Sequence, residues 1–194
     1  YNAVHTPLQA PPADLANVAG IDDPKRKPYA AMLKVLDEGV GQVLDALKRV
    51  NLERDTLVVF LSEDGGPPSA NGSRNLPLRA AKGALYEGGV RVPFVFRWPG
   101  VLPEGVTYDQ PVCSIDLMPT AVALAGGEPP ANSRWDGVDL MPYLTGKLSG
   151  APHRSLFWRA DGGQRFAVRE GRFKLVKMAN EIAAPIIVAR VRSH

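Results

Sequence analysis

The chain of 194 residues has one cysteine, no long apolar run and no excess of charge of one sign. A lone cysteine, Cys113, excludes an internal disulfide framework and any multi-cysteine metal knuckle. No apolar stretch approaches the roughly 18 residues that a bilayer-spanning helix needs, so no membrane partner is expected. The opening YNAVHTPLQAPP lacks a basic segment followed by an apolar one, and no signal peptide is expected in it. Lys and Arg number 23 against 20 Asp and Glu, a net charge of +3. The two signs are interspersed, which reads as solvated surface, and no nucleic-acid partner is expected. What is present is 45% hydrophobic composition, enough for one core with a small appended subdomain. None of this points to a compartment.

Up to about Lys27 the chain is rich in Pro, Ala and Asp without a period and reads as loop. From Tyr29 to Val50, Met32, Leu36, Val40, Val43, Leu44 and Leu47 recur at the spacing of one helical face. Gly39 and Gly41 inside that helix cost roughly 1 kcal/mol each relative to Ala, and read as places where another element comes close. TLVVFL, residues 56–61, is a β-branched run expected as a central strand covered on both faces. VRVPFVFRW, residues 90–98, is a second strand, with Pro93 at its start or edge. SIDLMPTAVALAG, residues 114–126, is a helix with Ser114 as N-cap and Gly126 closing it. The thiol of Cys113 just before it reads as small and buried, with a helix-start nucleophile as the sharper alternative. From Leu156, strand-like runs alternate with DGG and EGR turns, the pattern of antiparallel hairpins. The expected layout is an α/β domain over 1–150, a hairpin subdomain over 151–178 and a tail over 179–194.

Chemistry is expected where VVFLS runs into Glu63, Asp64, Gly65 and Gly66. Ligands bind beyond the carboxyl ends of strands in open α/β sheets, and two glycines let adjacent carboxylates turn toward one centre. Such hard oxygen donors suit Ca²⁺, Mg²⁺ or Mn²⁺, although a solvated acidic turn has the same sequence. His5 lies among small residues and prolines, suited to proton transfer near neutrality or simply exposed. Lys82, framed by Ala81 and Gly83, is free to bring its ammonium to an anion. His153, in APHRSLFWR, reads as structural or surface.

The order and wording of NAVHTPLQAP, TLVVFLSEDGG, NLPLRAAKGALYEGGVRVPFVFRWPG, SIDLMPT and RFAVREGRFKLVK together resemble the sulfatases of the alkaline phosphatase superfamily. The resemblance covers about nine-tenths of the chain and looks like the C-terminal half of an arylsulfatase. It implies a partial alkaline-phosphatase-like sheet with flanking helices, plus a small C-terminal antiparallel subdomain. It also implies metal-binding roles for Glu63 and Asp64, a sulfate-contacting role for Lys82, and contact of His5 with the transferred group or the leaving oxygen. The implied cofactor is a divalent ion, Ca²⁺ by family, with Zn²⁺, Mn²⁺ or Mg²⁺ as alternatives.

Three departures stand out. The family usually shows Asp-Asn where this chain has Glu63 and Asp64. No C/SxPSR motif is present to be converted to formylglycine, and Cys113 is followed by SIDL. After KLVK the chain reads ANEIAAPIIVARVRSH instead of a family-like ELYDL segment, as a frameshift or read-through would produce. The expected function is metal-dependent hydrolysis of sulfate or phosphate esters, phosphotriesters included. Water activated on a metal held by Glu63, Asp64 and His5 would replace formylglycine, with Lys82 offsetting charge. The alternative is a non-catalytic remnant that forms homo-oligomers and binds metal or anions.

Overall fold

The computed structural model describes residues 1–179 and 184–187. They divide into two compact units, Tyr1–Trp98 and Pro99–His194. The hairpin segment expected at 151–178 lies within the second unit.

In the first unit, a short helix α1 (Pro12–Ala16) precedes the long helix α2 (Arg26–Arg49). Helix α2 begins three residues before the apolar spacing does, because the Asp23 carboxylate accepts the amides of Lys25 and Arg26 at 2.9 and 2.8 Å. A side-chain acceptor for these otherwise orphaned amides starts a helix irrespective of its apolar face. The same hydrogen bonds, Arg26 first, hold the Asp23 carboxyl below its ordinary pKa. At the other end, Asn51 takes the left-handed conformation at φ 57°, and Leu52 donates back to the Leu47 carbonyl, closing the helix. Gly39 admits the Tyr1 hydroxyl, which would lie 3.0 Å from an added Cβ, whereas Gly41 faces open space.

Strand β1 (Val58–Leu61) pairs antiparallel with β2 (Phe94–Arg97), which starts directly after Pro93. The expected two-sided burial of β1 is not found: none of its residues is buried, and Phe60 is 37% exposed. Among the described residues this sheet has only these two strands. A guanidinium–carboxylate pair between Arg97 and Glu53 ties β2 to the turn leading into β1. Two one-turn helices follow, α3 (Pro68–Asn71) and α4 (Glu87–Val90). The start of α2 is fastened to the α3 region by Lys25 donating to the Ser69 carbonyl (2.6 Å) and Arg26 to that of Gly72 (2.7 Å).

In the second unit, a 3₁₀ turn (Ser114–Asp116) leads into α5 (Leu117–Leu124), with α6 (Met141–Leu144) further on. The cap is Cys113 rather than the expected Ser114, because the Asp116 carboxylate reaches back to the Cys113 amide at 2.8 Å. The half-buried Cys113 is thus a capping position. Four antiparallel strands follow in sequential order: β3 (Ser155–Ala160), β4 (Arg165–Glu170), β5 (Phe173–Lys177) and β6 (Ala184–Ile187). The hairpin expectation for the first three holds. Strand β6 lies in the stretch that carries no turn or cap signal, and the rest of the expected tail from 180 onward is outside the described residues. One sheet face buries Leu156, Ala167, Lys174 and Val176, while Phe157, Phe166 and Phe173 on the other are 76%, 37% and 52% exposed.

Candidate functional site

Beyond Leu61 the chain is held by backbone contacts rather than by a ladder. Ser62 donates its amide to the Pro93 carbonyl (3.2 Å), and Gly65 donates to Gly89 (3.0 Å). Gly65 is there by necessity: a Cβ on it would lie 1.7 Å from the Gly88 carbonyl oxygen. Between these fastened points, Glu63 and Asp64 are presented outward, Glu63 exposed and Asp64 half-buried.

The loop bearing Lys82 is braced just as closely. Gly88 donates to the Arg79 carbonyl (2.8 Å), and the Arg79 guanidinium lies 4.1 Å from the centre of the buried Tyr86 ring. These two loops bring Lys82 Nζ to 3.3 Å from the Asp64 carboxylate. The pair is partly solvated, with side-chain exposures of 36% and 31%.

His5 donates through Nδ1 to the Thr6 carbonyl at 2.8 Å, which leaves Nε2 as the available ring atom. His5, Glu63, Asp64 and Lys82 all line one cleft of about 770 Å³ in the first unit. Arg74 and Arg91 also line it, and apolar lining comes from α2 and β1. The sequence reading therefore named four residues that share one cleft, two of them in direct contact.

Two neighbours escaped it. Asn75 grips Gly66 from both sides, accepting its amide (3.1 Å) and donating to its carbonyl (2.7 Å). Ser73 is 6% exposed, and its hydroxyl packs against Gly66, 2.3 Å from where a Cβ would stand. The Asn-Gly-Ser-Arg-Asn composition of 71–75 signals a turn but not which side chain folds back.

The sulfatase family model matches residues 1–127, and a model described as N-sulphoglucosamine sulphohydrolase, C-terminal, matches residues 80–187. The chain belongs to the sulfatase family. Human (Homo sapiens) arylsulfatase A is 40% identical over 156 residues, covering 77% of this chain and 30% of that protein. Arylsulfatase J of Mus musculus is 38% identical over 145 residues, 75% of this chain and 24% of that one. A crystal structure of Ps i-CgsB in complex with k-i-k-neocarrahexaose superposes with a TM-score of 0.90 at 37% identity, over 97% of this chain and 42% of that one. The phosphonate monoester hydrolase SpPMH from Silicibacter pomeroyi gives 0.63 at 27% identity, over 82% and 33%. This sulfatase-family chain thus spans about a quarter of the length of the curated relatives it matches. Its fold is alkaline-phosphatase-like, with sulfatases among its structural neighbours, as the sequence resemblance implies.

Sulfatases generally bind a divalent metal, Ca²⁺. Glu63 and Asp64 offer the hard oxygens Ca²⁺ prefers, but that ion takes about six to eight of them. Among the described residues no three His, Cys, Asp or Glu side chains form a group able to hold a metal, and Asp64 is already engaged by Lys82. The expected set of Glu63, Asp64 and His5 is not assembled, and these residues do not by themselves make a calcium shell. The chemistry open to this chain's own side chains is that of an ammonium, an imidazole and two carboxylates.

Proposed function

We infer that this cleft is the anion-handling portion of a sulfuric- or phosphoric-ester hydrolase site. The observation that supports the reading most is the convergence of Lys82, Asp64, Glu63 and His5 on one cleft in a chain of the sulfatase family. Lys82 is the residue that meets the ester's anionic oxygens. Its ammonium, held by Asp64 in a partly solvated setting, exchanges that carboxylate for oxygens that gain negative charge as the ester bond breaks. His5, with Nδ1–H committed to the Thr6 carbonyl, handles a proton at Nε2 on the leaving oxygen. Glu63 and Asp64 supply two carboxylates beside the ammonium, and on their own they do not complete the shell a divalent cation would need. The similarity to a phosphonate monoester hydrolase supports including phosphoryl substrates beside sulfuryl ones.

The test is turnover of p-nitrophenyl sulfate and p-nitrophenyl phosphate by the chain and by Lys82→Ala, each with chelator and with Ca²⁺ restored. Loss of about 10²-fold or more in the variant is expected, the size seen when one charge-stabilising donor is removed. Equal rates in the two proteins would reject the assignment of Lys82.

A second reading rests on a different observation, the apolar surface left uncovered. Leu33 and Val43 on α2 are 43% and 48% exposed beside the cleft, and three phenylalanines are exposed on the second unit's sheet. Faces of this kind are covered by association, so the alternative is a non-catalytic chain that self-assembles. Sedimentation at micromolar concentration decides it, since a monomer would be incompatible.

A further inference from the structure

We propose that Asn75 is a positioning residue that sets Lys82 against Asp64 by coupling the two loops that carry them; its catalytic relevance rests on the hydrolase reading above. Asp64 and Lys82 are 18 residues apart in the chain, and each sits at the tip of a loop. Their 3.3 Å contact is partly solvated, and pairs of this kind hold geometry weakly. Something stronger must fix the distance between the loops.

The Asn75 carboxamide reaches both. On one side it accepts the Gly66 amide (3.1 Å) and donates to the Gly66 carbonyl (2.7 Å), two residues beyond Asp64. On the other it donates to the Ala80 carbonyl (3.3 Å), two residues before Lys82. Oδ1 and both donor contacts of Nδ2 are thus spent on backbone. Ala80 itself sits at φ 68°, a left-handed conformation that a residue with a Cβ avoids unless it is held. The Asn75 donor is one hold, and α4 is the other. A Cβ on Gly88 would lie 2.3 Å from the Ala80 carbonyl oxygen, while the Gly88 carbonyl packs on Gly65. The acidic turn and the lysine loop therefore both pack against Gly88, with Asn75 bridging them. Glycine contacts limit how closely the loops approach, but only a directional bond sets where each carbonyl points. Lys82 follows Ala80 by two residues, so the direction of the Ala80 carbonyl governs where the ammonium emerges.

The proposal separates from a role confined to accepting the Gly66 amide. Asn75→Asp retains an acceptor for the Gly66 amide but has no Nδ2 to give the Gly66 or the Ala80 carbonyl, so unchanged Gly66 exchange in it marks an intact turn with the bridge lost. Asn75→Ala retains neither acceptor nor donor. The readouts are acetylation of Lys82 by acetic anhydride, with Lys34 and Lys48 of α2 as internal references, and hydrogen exchange at the Gly66 amide. Both variants are expected to label Lys82 about threefold faster, the scale of a released exposed ion pair. Faster exchange at Gly66 is expected in Asn75→Ala only. Unchanged Lys82 labelling in both variants would overturn the proposal, and so would an increase confined to Asn75→Ala, which would restrict Asn75 to the Gly66 turn. Loss of amide protection across β1 and β2 in both variants would assign Asn75 to folding, and would overturn it as well. Neither readout needs turnover, so a chain inactive on every ester would sink the hydrolase reading and leave the loop coupling standing.

Discussion

The two units each contain an aspartate facing a nitrogen base, and the two pairs do opposite things. In the first unit Asp64 meets Lys82 at 3.3 Å, with about a third of each side chain exposed. In the second, Asp116 is fully buried and meets His153 Nε2 at 2.8 Å from Oδ1 and 3.0 Å from Oδ2. Asp116 also accepts the amides of Cys113 (2.8 Å) and Val138 (3.0 Å), while Thr120 beside it donates to the Asp116 carbonyl and accepts from the Leu140 amide. Every oxygen of Asp116 is committed, and three chain segments meet on it. Asp64 keeps lone pairs for something else. The number of partners, more than the residue types, separates a structural carboxylate from one available for chemistry.

That contrast is open to measurement. The largest effect is expected from Asp116→Ala, which strands two part-buried amides and the buried His153 N–H; a loss of about 3 to 5 kcal/mol is expected by urea unfolding. Asp64→Ala in the same assay should cost under about 1 kcal/mol, because an exposed pair contributes little. Similar losses for the two would erase the distinction.

Next comes Gly65→Ala, which places a Cβ against the Gly88 carbonyl and should cost roughly 2 kcal/mol by displacing backbone. Its Lys82 labelling should rise as well, since the acidic turn must shift. Gly41→Ala is expected to go the other way, raising stability by about 0.5 to 1 kcal/mol, because this helical glycine faces open space. Thermal unfolding of the pair, read together, tests whether the glycines divide between those the site needs and those it does not.

The smallest effect concerns pH. The Glu53 carboxyl is held below its ordinary 4.5, first by the hydrogen bond from Arg97. A depressed folded-state pKa gives stability that is complete above 4.5 and lost as pH falls through the lower folded value. Glu53→Gln should flatten that acid-side slope by lowering stability slightly at neutral pH while leaving it nearly unchanged in acid, as acid titration by circular dichroism would record.

Much of this was legible in the sequence, for identifiable reasons. Helix α2 declared itself because its apolar residues repeat every three or four positions, and β1 and β2 because β-branched runs meet turn residues. The four cleft residues stood out from motif order. The start of α2 did not, since Asp23 caps from outside the periodic stretch. The exposure of β1 was hidden too, because an all-apolar run reports what a strand is suited to and not which neighbours it has. Asn75 and Asp116 were missed for one shared reason: both act by folding back onto distant backbone, and nothing in residue type or spacing marks such a bond.

The contact between Gly65 and Gly88 bears on how this chain is able to change. The Gly88 carbonyl fills the space beside Gly65, and the Ala80 and Arg79 carbonyls fill the space beside Gly88, so a side chain at either position displaces backbone and a saturation library at residue 65 should return the parent as its most stable clone. Variation that retunes the acidic turn must enter through Glu63, whose side chain is exposed.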